Sequence, residues 1–217
     1  TGYSFKNLRE ISSMRESNHY AATKSVAVIG NYVPRQCGIA TFTADLVESL
    51  TSAAGHSGIW AMAMNDKASG YNYPDKVRFE IDQNRLADYK TAAGFININN
   101  TDIVCLQHEY GIFGGPAGSH ILKLLDELDV PVVTTLHTVL IEPENEYYNV
   151  MKRLAGLSDK LIVMSRHAVD ILQTVYDIPK EKIEYIPHGI PDIPFVDPNY
   201  YKEQFDLLGK NLLLTFG

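Results

Sequence analysis

Cysteine is scarce in this sequence: Cys37 and Cys105 are the only two among 217 residues. Two thiols outside any CxxC pair build neither a disulfide framework nor a four-cysteine zinc site, and they fit a reducing compartment, the cytoplasm. Long apolar runs are missing too. Leu212 to Leu214 and Val130 to Val133 are typical short runs, far below the roughly 20 residues that cross a bilayer. No basic head followed by an apolar stretch opens the chain, so no signal peptide is read. Basic residues are in deficit, 19 Lys and Arg against 26 Asp and Glu for a net charge of −7. A dedicated nucleic-acid binder needs the opposite balance to neutralise phosphates. No basic amphipathic patch suited to a membrane surface is visible either. GxGxxG, GxxxxGK[ST] and HExxH are all absent, which argues against a classical dehydrogenase, a P-loop NTPase and a zincin. His108 and Glu109 have no further ligand at metal-binding spacing, so no metal site is expected.

What is present is a 45% hydrophobic composition, enough for a substantial core. The β-branched run VAVIG, Val26 to Gly30, reads as a strand buried on both faces. Ile39, Phe42, Leu46 and Leu50 then recur at helical spacing, up to a stop at Gly55. The alternation continues, with strands predicted at Gly58 to Met64, Val77 to Ile81, Asp102 to His108, Pro131 to His137, Asp159 to Ser165 and Ile183 to Pro187. Helices are predicted at Arg85 to Ile98, Ser119 to Leu128, Glu144 to Leu157 and His167 to Tyr176. Strand–helix alternation on this scale predicts an α/β fold, a Rossmann-like doubly wound parallel sheet with helices on both faces. Residues 1–24 are a polar N-terminal extension with a weak helical pattern through Phe5, Leu8, Ile11 and Met14. Residues 25–190 form the predicted domain, the proline-rich 191–211 a connector, and LLLTFG at 212–217 the opening strand of a second, truncated domain.

Ligands of open parallel sheets bind outside the carboxyl ends of the strands. The residues there are Asn31, Arg35, Gly38, Ile39 and Thr41 after the first strand, and Gln107, His108, Glu109 and Tyr110 after the fourth. His137 and Thr138 follow the fifth, and Ser165, Arg166 and His167 the sixth. Gly38 has two readings: a small residue that lets helix amides approach an anion or sugar hydroxyl, or a tight turn that needs glycine's freedom. His137 either contacts substrate or is satisfied by loop backbone. Glu109 suits a sugar hydroxyl or a histidine. Arg166 at a helix start suits a phosphate. The glycine run 111–118 is either a flexible loop or a lid, and Tyr71, Tyr73, Tyr147 and Tyr148 are either sugar-stacking or packing residues. Both cysteines read as structural.

Five segments together carry a resemblance: GNYVPRQCGIATFTADL at 30–46, LQHEYGIFGG at 106–115, PVVTTLHTVL at 131–140, SDKLIVMSRHAVDIL at 158–172 and IPHGIPD at 186–192. In this order they resemble the N-terminal domain of a GT-B glycosyltransferase of family 4, the retaining class that uses nucleotide sugars. The resemblance spans residues 26–217. It implies that 25–190 is the acceptor-side half of a two-domain enzyme and that 212–217 begins the donor-binding half. It also implies substrates rather than a resident cofactor: a nucleotide-sugar donor and a glycan or glycoconjugate acceptor; a polysaccharide-assembly role would bring the enzyme near a membrane surface.

Carried over residue by residue, Gly38 with Ile39 and Thr41 matches the loop that approaches the donor phosphates and the acceptor. His137 matches the histidine close to the transferring sugar and becomes the catalytic candidate, as an orienting group rather than a general base. Ser165 and Arg166 match a turn facing the cleft, and His108, Glu109 and Tyr110 complete the candidate substrate-binding set. The first loop has one glycine where many relatives have two, and the hinge reads HGIPD, with Pro191 before Asp192. The family's donor-side lysine, arginine and paired glutamates belong to the other domain, so the chain alone is expected to be inactive. The competing readings are a sugar phosphorylase or phosphate synthase of the same architecture, and a non-catalytic sugar- or nucleotide-binding module.

Overall fold

The computed structural model describes residues 25–55, 58–190 and 194–215. The extension 1–24, Pro191 and Asp192 of the hinge, and Phe216 lie outside the described residues. Two compact units divide the chain, Thr1–Pro187 and His188–Gly217.

The first unit is built on seven strands: β1 (Val26–Gly30), β2 (Ile59–Asn65), β3 (Val77–Asp82), β4 (Ile103–His108), β5 (Val132–Leu136), β6 (Lys160–Val163) and β7 (Ile183–Tyr185). All pair in parallel, in the order β3-β2-β1-β4-β5-β6-β7. This is the Rossmann-like sheet that the strand–helix alternation predicts. The chain adds β2 and β3 on one side of β1 and β4 to β7 on the other, so the topological switch lies between β1 and β4.

Burial follows strand position. Every residue of β1 and β2 is buried, as continuous apolar runs in central strands require. The edge strands β3 and β7 bury little. One sheet face, through Ala27, Ile29, Trp60, Met62, Val104 and Leu106, packs on α2 (Leu86–Ile98), α3 (Ile121–Leu125), α4 (Asn145–Leu157) and α5 (Arg166–Thr174). The other, through Val28, Ile59, Ala61 and Ala63, packs on α1 (Gly38–Ala54).

Local signals account for the ends of several elements. The Cys37 sulfur accepts the Ala40 amide at the start of α1, and Gly55, at φ +66, closes the helix in the left-handed conformation. Ser165 caps α5 by accepting the Ala168 amide, so that helix begins at Arg166, one residue before its predicted start. It ends at Thr174 because Tyr176 turns into the core and donates its hydroxyl to the Leu140 carbonyl (3.0 Å). Helix α3 is shorter than the predicted 119–128. Gly118 at φ +73 precedes it, and Glu127 and Leu128 donate to residues three back, which tightens the last turn.

The buried stripe of α1 also differs from the one its large apolar residues suggest. Ala40, Thr43 and Val47 are fully buried, while Ile39, Phe42, Leu46 and Leu50 are half-buried. Small side chains let the helix lie close over β1, where Gly30 leaves no room for bulk: a Cβ there would stand 2.9 Å from Thr43 Oγ1.

In the second unit, α6 (Pro198–Gln204) is capped by Asp197, whose side chain accepts the Asn199 amide. None of its described residues is buried, and Ile190, Phe195, Leu213 and Leu214 are largely exposed. The strand expected at Leu212 to Phe216 is not formed over the described Leu212–Thr215. An apolar run becomes a strand only with a neighbour to complete its ladder, and none pairs with it among the described residues.

Candidate functional site at the carboxyl rim of the sheet

The registers Ile29–Leu106, His108–Leu136 and Leu136–Val163 bring the ends of β1, β4, β5 and β6 to one rim. At its centre stands His137. Its amide donates to the His108 carbonyl (3.0 Å), its Nε2 lies 3.0 Å from Gln107 Oε1, and the Phe42 ring meets it edge-on at 4.8 Å. Phe42 lies one turn into α1, so the start of that helix and the end of β5 meet at this imidazole. His137 is half-buried, which leaves the ring reachable from the rim.

Gly38 opens α1 and is exposed; its φ is not positive, and an added Cβ would meet none of the described residues within 4 Å. The turn therefore does not need glycine's freedom, and the space in front of it is open. Geometrically, the amides of Gly38 and Ile39 have no acceptor within the helix. Thr41 is exposed beside them. Glu109 is half-buried and accepts the Thr138 hydroxyl. Ser165 and Arg166 are exposed past the end of β6, but each is engaged: Ser165 caps α5, and the Arg166 guanidinium lies 4.9 Å from the centre of the Tyr185 ring.

Two residues of the expected binding set stand below the rim. His108 is fully buried, edge-on to Tyr110 at 4.9 Å and stacked on Phe113 at 5.8 Å. Burial, and secondarily the positive form of His137, push its pKa down to about 3. Tyr110 is buried against Tyr147, 4.9 Å between ring centres. These side chains support the rim from inside and do not reach its surface, because residue 108 continues the inward alternation of Val104 and Leu106. The glycine run after them is neither a loose loop nor an open lid. Ile112 and Phe113 are core residues, and a Cβ on Gly114 would stand 1.9 Å from the Gln83 carbonyl oxygen.

Beside the site, over the ends of β1 and β2, Arg35 donates to Asn31 Oδ1 (3.1 Å) and the Met64 carbonyl (3.4 Å) and pairs with Asp66 (3.3 Å). Asp66 also accepts the Tyr71 hydroxyl (2.9 Å), and Tyr73 donates to Asn65 (2.7 Å). Tyr71 and Tyr73 adjoin each other, but Tyr147 and Tyr148 pack on Tyr110 and Tyr176 across the sheet, so the four make no single stacking surface. Cys37 is the helix cap, and burial raises the Cys105 thiol to about 11. Among the described residues no three His, Cys, Asp or Glu side chains gather as a metal site would require. Likewise, no described helix is long and apolar enough to cross a membrane.

Phe42 is a functional neighbour that reasoning from strand ends misses, and Gln107, named among the strand-end residues, is left by it outside the candidate binding set. The available signal is the type of residue 107, an amide inside the apolar strand IVCLQH, which must find a partner once buried.

The chain matches a crystal structure of a glycosyltransferase from Rickettsia africae with a TM-score of 0.58 and 19% identity, over 85% of this chain and 50% of that one. It thus spans half the length of that structure, and at this identity the likeness is one of fold. No curated protein matches it. The family model described as Glycosyltransferase Family 4 covers residues 37–192, from the cap of α1 to the hinge. Well over half of the chain lies within that match, and the chain belongs to glycosyltransferase family 4.

Proposed function

We propose that this chain is the acceptor-side half of a cytoplasmic, retaining glycosyltransferase that moves a sugar from a nucleotide-sugar donor to a glycan or glycoconjugate acceptor. The observation that carries this reading is the position of His137, half-buried at the centre of the rim and facing the open first turn of α1 in a family 4 chain. His137 hydrogen-bonds and orients the transferring sugar. The amides of Gly38 and Ile39, aided by the helix dipole, face the phosphates, with Thr41 beside them. Glu109, held by Thr138, and Arg166 flank the acceptor path, and His108 and Tyr110 keep the rim rigid from beneath. Such residues act by orientation and by stabilising the leaving diphosphate, without a protein nucleophile or resident cofactor. The 217 residues alone, without a donor-side domain, turn over nothing.

The test uses the chain extended through its second domain, incubated with UDP-, GDP- and ADP-sugars while released nucleotide is measured. One donor class is released, and His137→Ala lowers the rate at least about tenfold, equivalent to ~1.4 kcal/mol of transition-state stabilisation. No release from any donor, with sugar or phosphate still bound, overturns the proposal in favour of a phosphorylase or a binding module.

A further inference from the structure

We infer that Gln107 is a positioning residue for His137, its buried side-chain carbonyl selecting which ring nitrogen carries the proton and how the ring is turned at the rim. The inference rests on the reading of His137 as the group that meets the sugar. A carbonyl oxygen only accepts, so Gln107 Oε1 at 3.0 Å requires the proton on His137 Nε2. In the neutral ring the lone pair is then at Nδ1.

Three restraints meet on this imidazole from separate elements. The backbone bond to the His108 carbonyl fixes the Cα, the edge of Phe42 fixes the ring plane, and Gln107 fixes the tautomer. Gln107 is itself locked. It is fully buried, and its Cβ would stand 3.0 Å from a Cβ on Gly30, so the neighbouring strand leaves the side chain room only because position 30 has none.

The arrangement also carries a cost that packing does not explain. Gln107 Nε2 is buried without a hydrogen-bond partner among the described residues, an expense that an apolar residue in IVCLQH would avoid. The bond to His137 is the one compensating interaction of this amide among the described residues.

The experiment reads His137 directly. Long-range 1H–15N imidazole spectra are recorded on the labelled chain as wild type, Gln107→Met and Gln107→Glu, with backbone amide spectra confirming that each variant is folded. Wild type shows His137 as the Nε2–H tautomer. The near-isosteric Gln107→Met mixes the two tautomers. Gln107→Glu retains the Nε2–H form and raises the His137 pKa by about one unit or more, as a carboxylate at that distance does. In the chain extended through its second domain, Gln107→Met lowers kcat about tenfold with donor KM little changed.

The Nδ1–H tautomer in wild type, or His137 signals unmoved in both variants, overturns the inference even if nucleotide is released. Correct tautomers in a protein that releases nucleotide from no donor support the positioning role and reject the glycosyltransferase reading instead.

Discussion

Three glycines near the rim differ in what a methyl group would encounter, and the difference orders their substitutions. At Gly114 a Cβ would lie 1.9 Å from the Gln83 carbonyl oxygen and 2.7 Å from His120 Nδ1. That backbone is held by a bond from its amide to the Tyr89 hydroxyl, which in turn donates to Gln83. Gly114→Ala forces the loop off the core and costs at least ~2 kcal/mol in urea unfolding. At Gly30 the obstacles are side-chain atoms, Thr43 Oγ1 at 2.9 Å and Gln107 Cβ at 3.0 Å, which yield more readily. Gly30→Ala costs about 1–3 kcal/mol. At Gly38 none of the described residues lies within 4 Å, so Gly38→Ala changes stability by less than ~0.5 kcal/mol. A loss of turnover with Gly38→Leu at unchanged stability would then report an approaching ligand. An equal cost at all three positions would contradict the packing described here.

Among the elements, α5 is the one whose end decides between a structural and a substrate role. It is nine residues long, its buried contacts come from Ile171 and Leu172, and Ser165 Oγ accepts the Ala168 amide at 3.1 Å. Ser165→Ala removes that cap and lowers unfolding free energy by ~1 kcal/mol, while Ser165→Asp, which caps equally well, restores it. If the aspartate also restores turnover of the extended protein, capping accounts for Ser165. If it restores stability alone, the hydroxyl meets substrate as well. Arg166 gives a parallel comparison, since Tyr185 already occupies one face of its guanidinium and only the remainder can meet a phosphate.

For the whole molecule the consequence concerns acid. His108 has no exposure and, among the described residues, no hydrogen-bond partner for either ring nitrogen, and its pKa falls from 6.5 to about 3 on folding. Between these values the unfolded chain binds a proton that the folded one does not. Stability attributable to this group is therefore complete above about pH 6.5 and is lost as the pH falls towards 3, with a slope of up to ~1.4 kcal/mol per pH unit. His108→Leu removes this part of the slope. The test is the difference between wild-type and variant unfolding free energies across pH 3–7, and parallel curves would mean that His108 takes up its proton while folded.

The alternation of elements, the sheet type and the rim as the place to look were all legible in the chain. Each depends on local spacing: continuous apolar runs such as VAVIG, helical periodicity, and a cap or glycine at an end. Four of the five segments that carry the resemblance to family 4 lie at those same rim positions, after β1, β4, β5 and β6. Their residue types are a local property, and the chemistry they favour could be named without coordinates.

What the linear pattern leaves undetermined is the direction each side chain takes among residues far apart in sequence. His108 and His137 look alike as histidines at strand ends, yet one is sealed in the core and the other half-buried at the rim, because pleating and the β4–β5 register send them to different surroundings. Gln107 meets His137 across 30 residues, and Phe42 reaches the same ring from α1. Residues 212–215 have the composition of a strand without its form, since composition sets a preference for extended backbone and only a neighbouring strand supplies the hydrogen bonds that complete it.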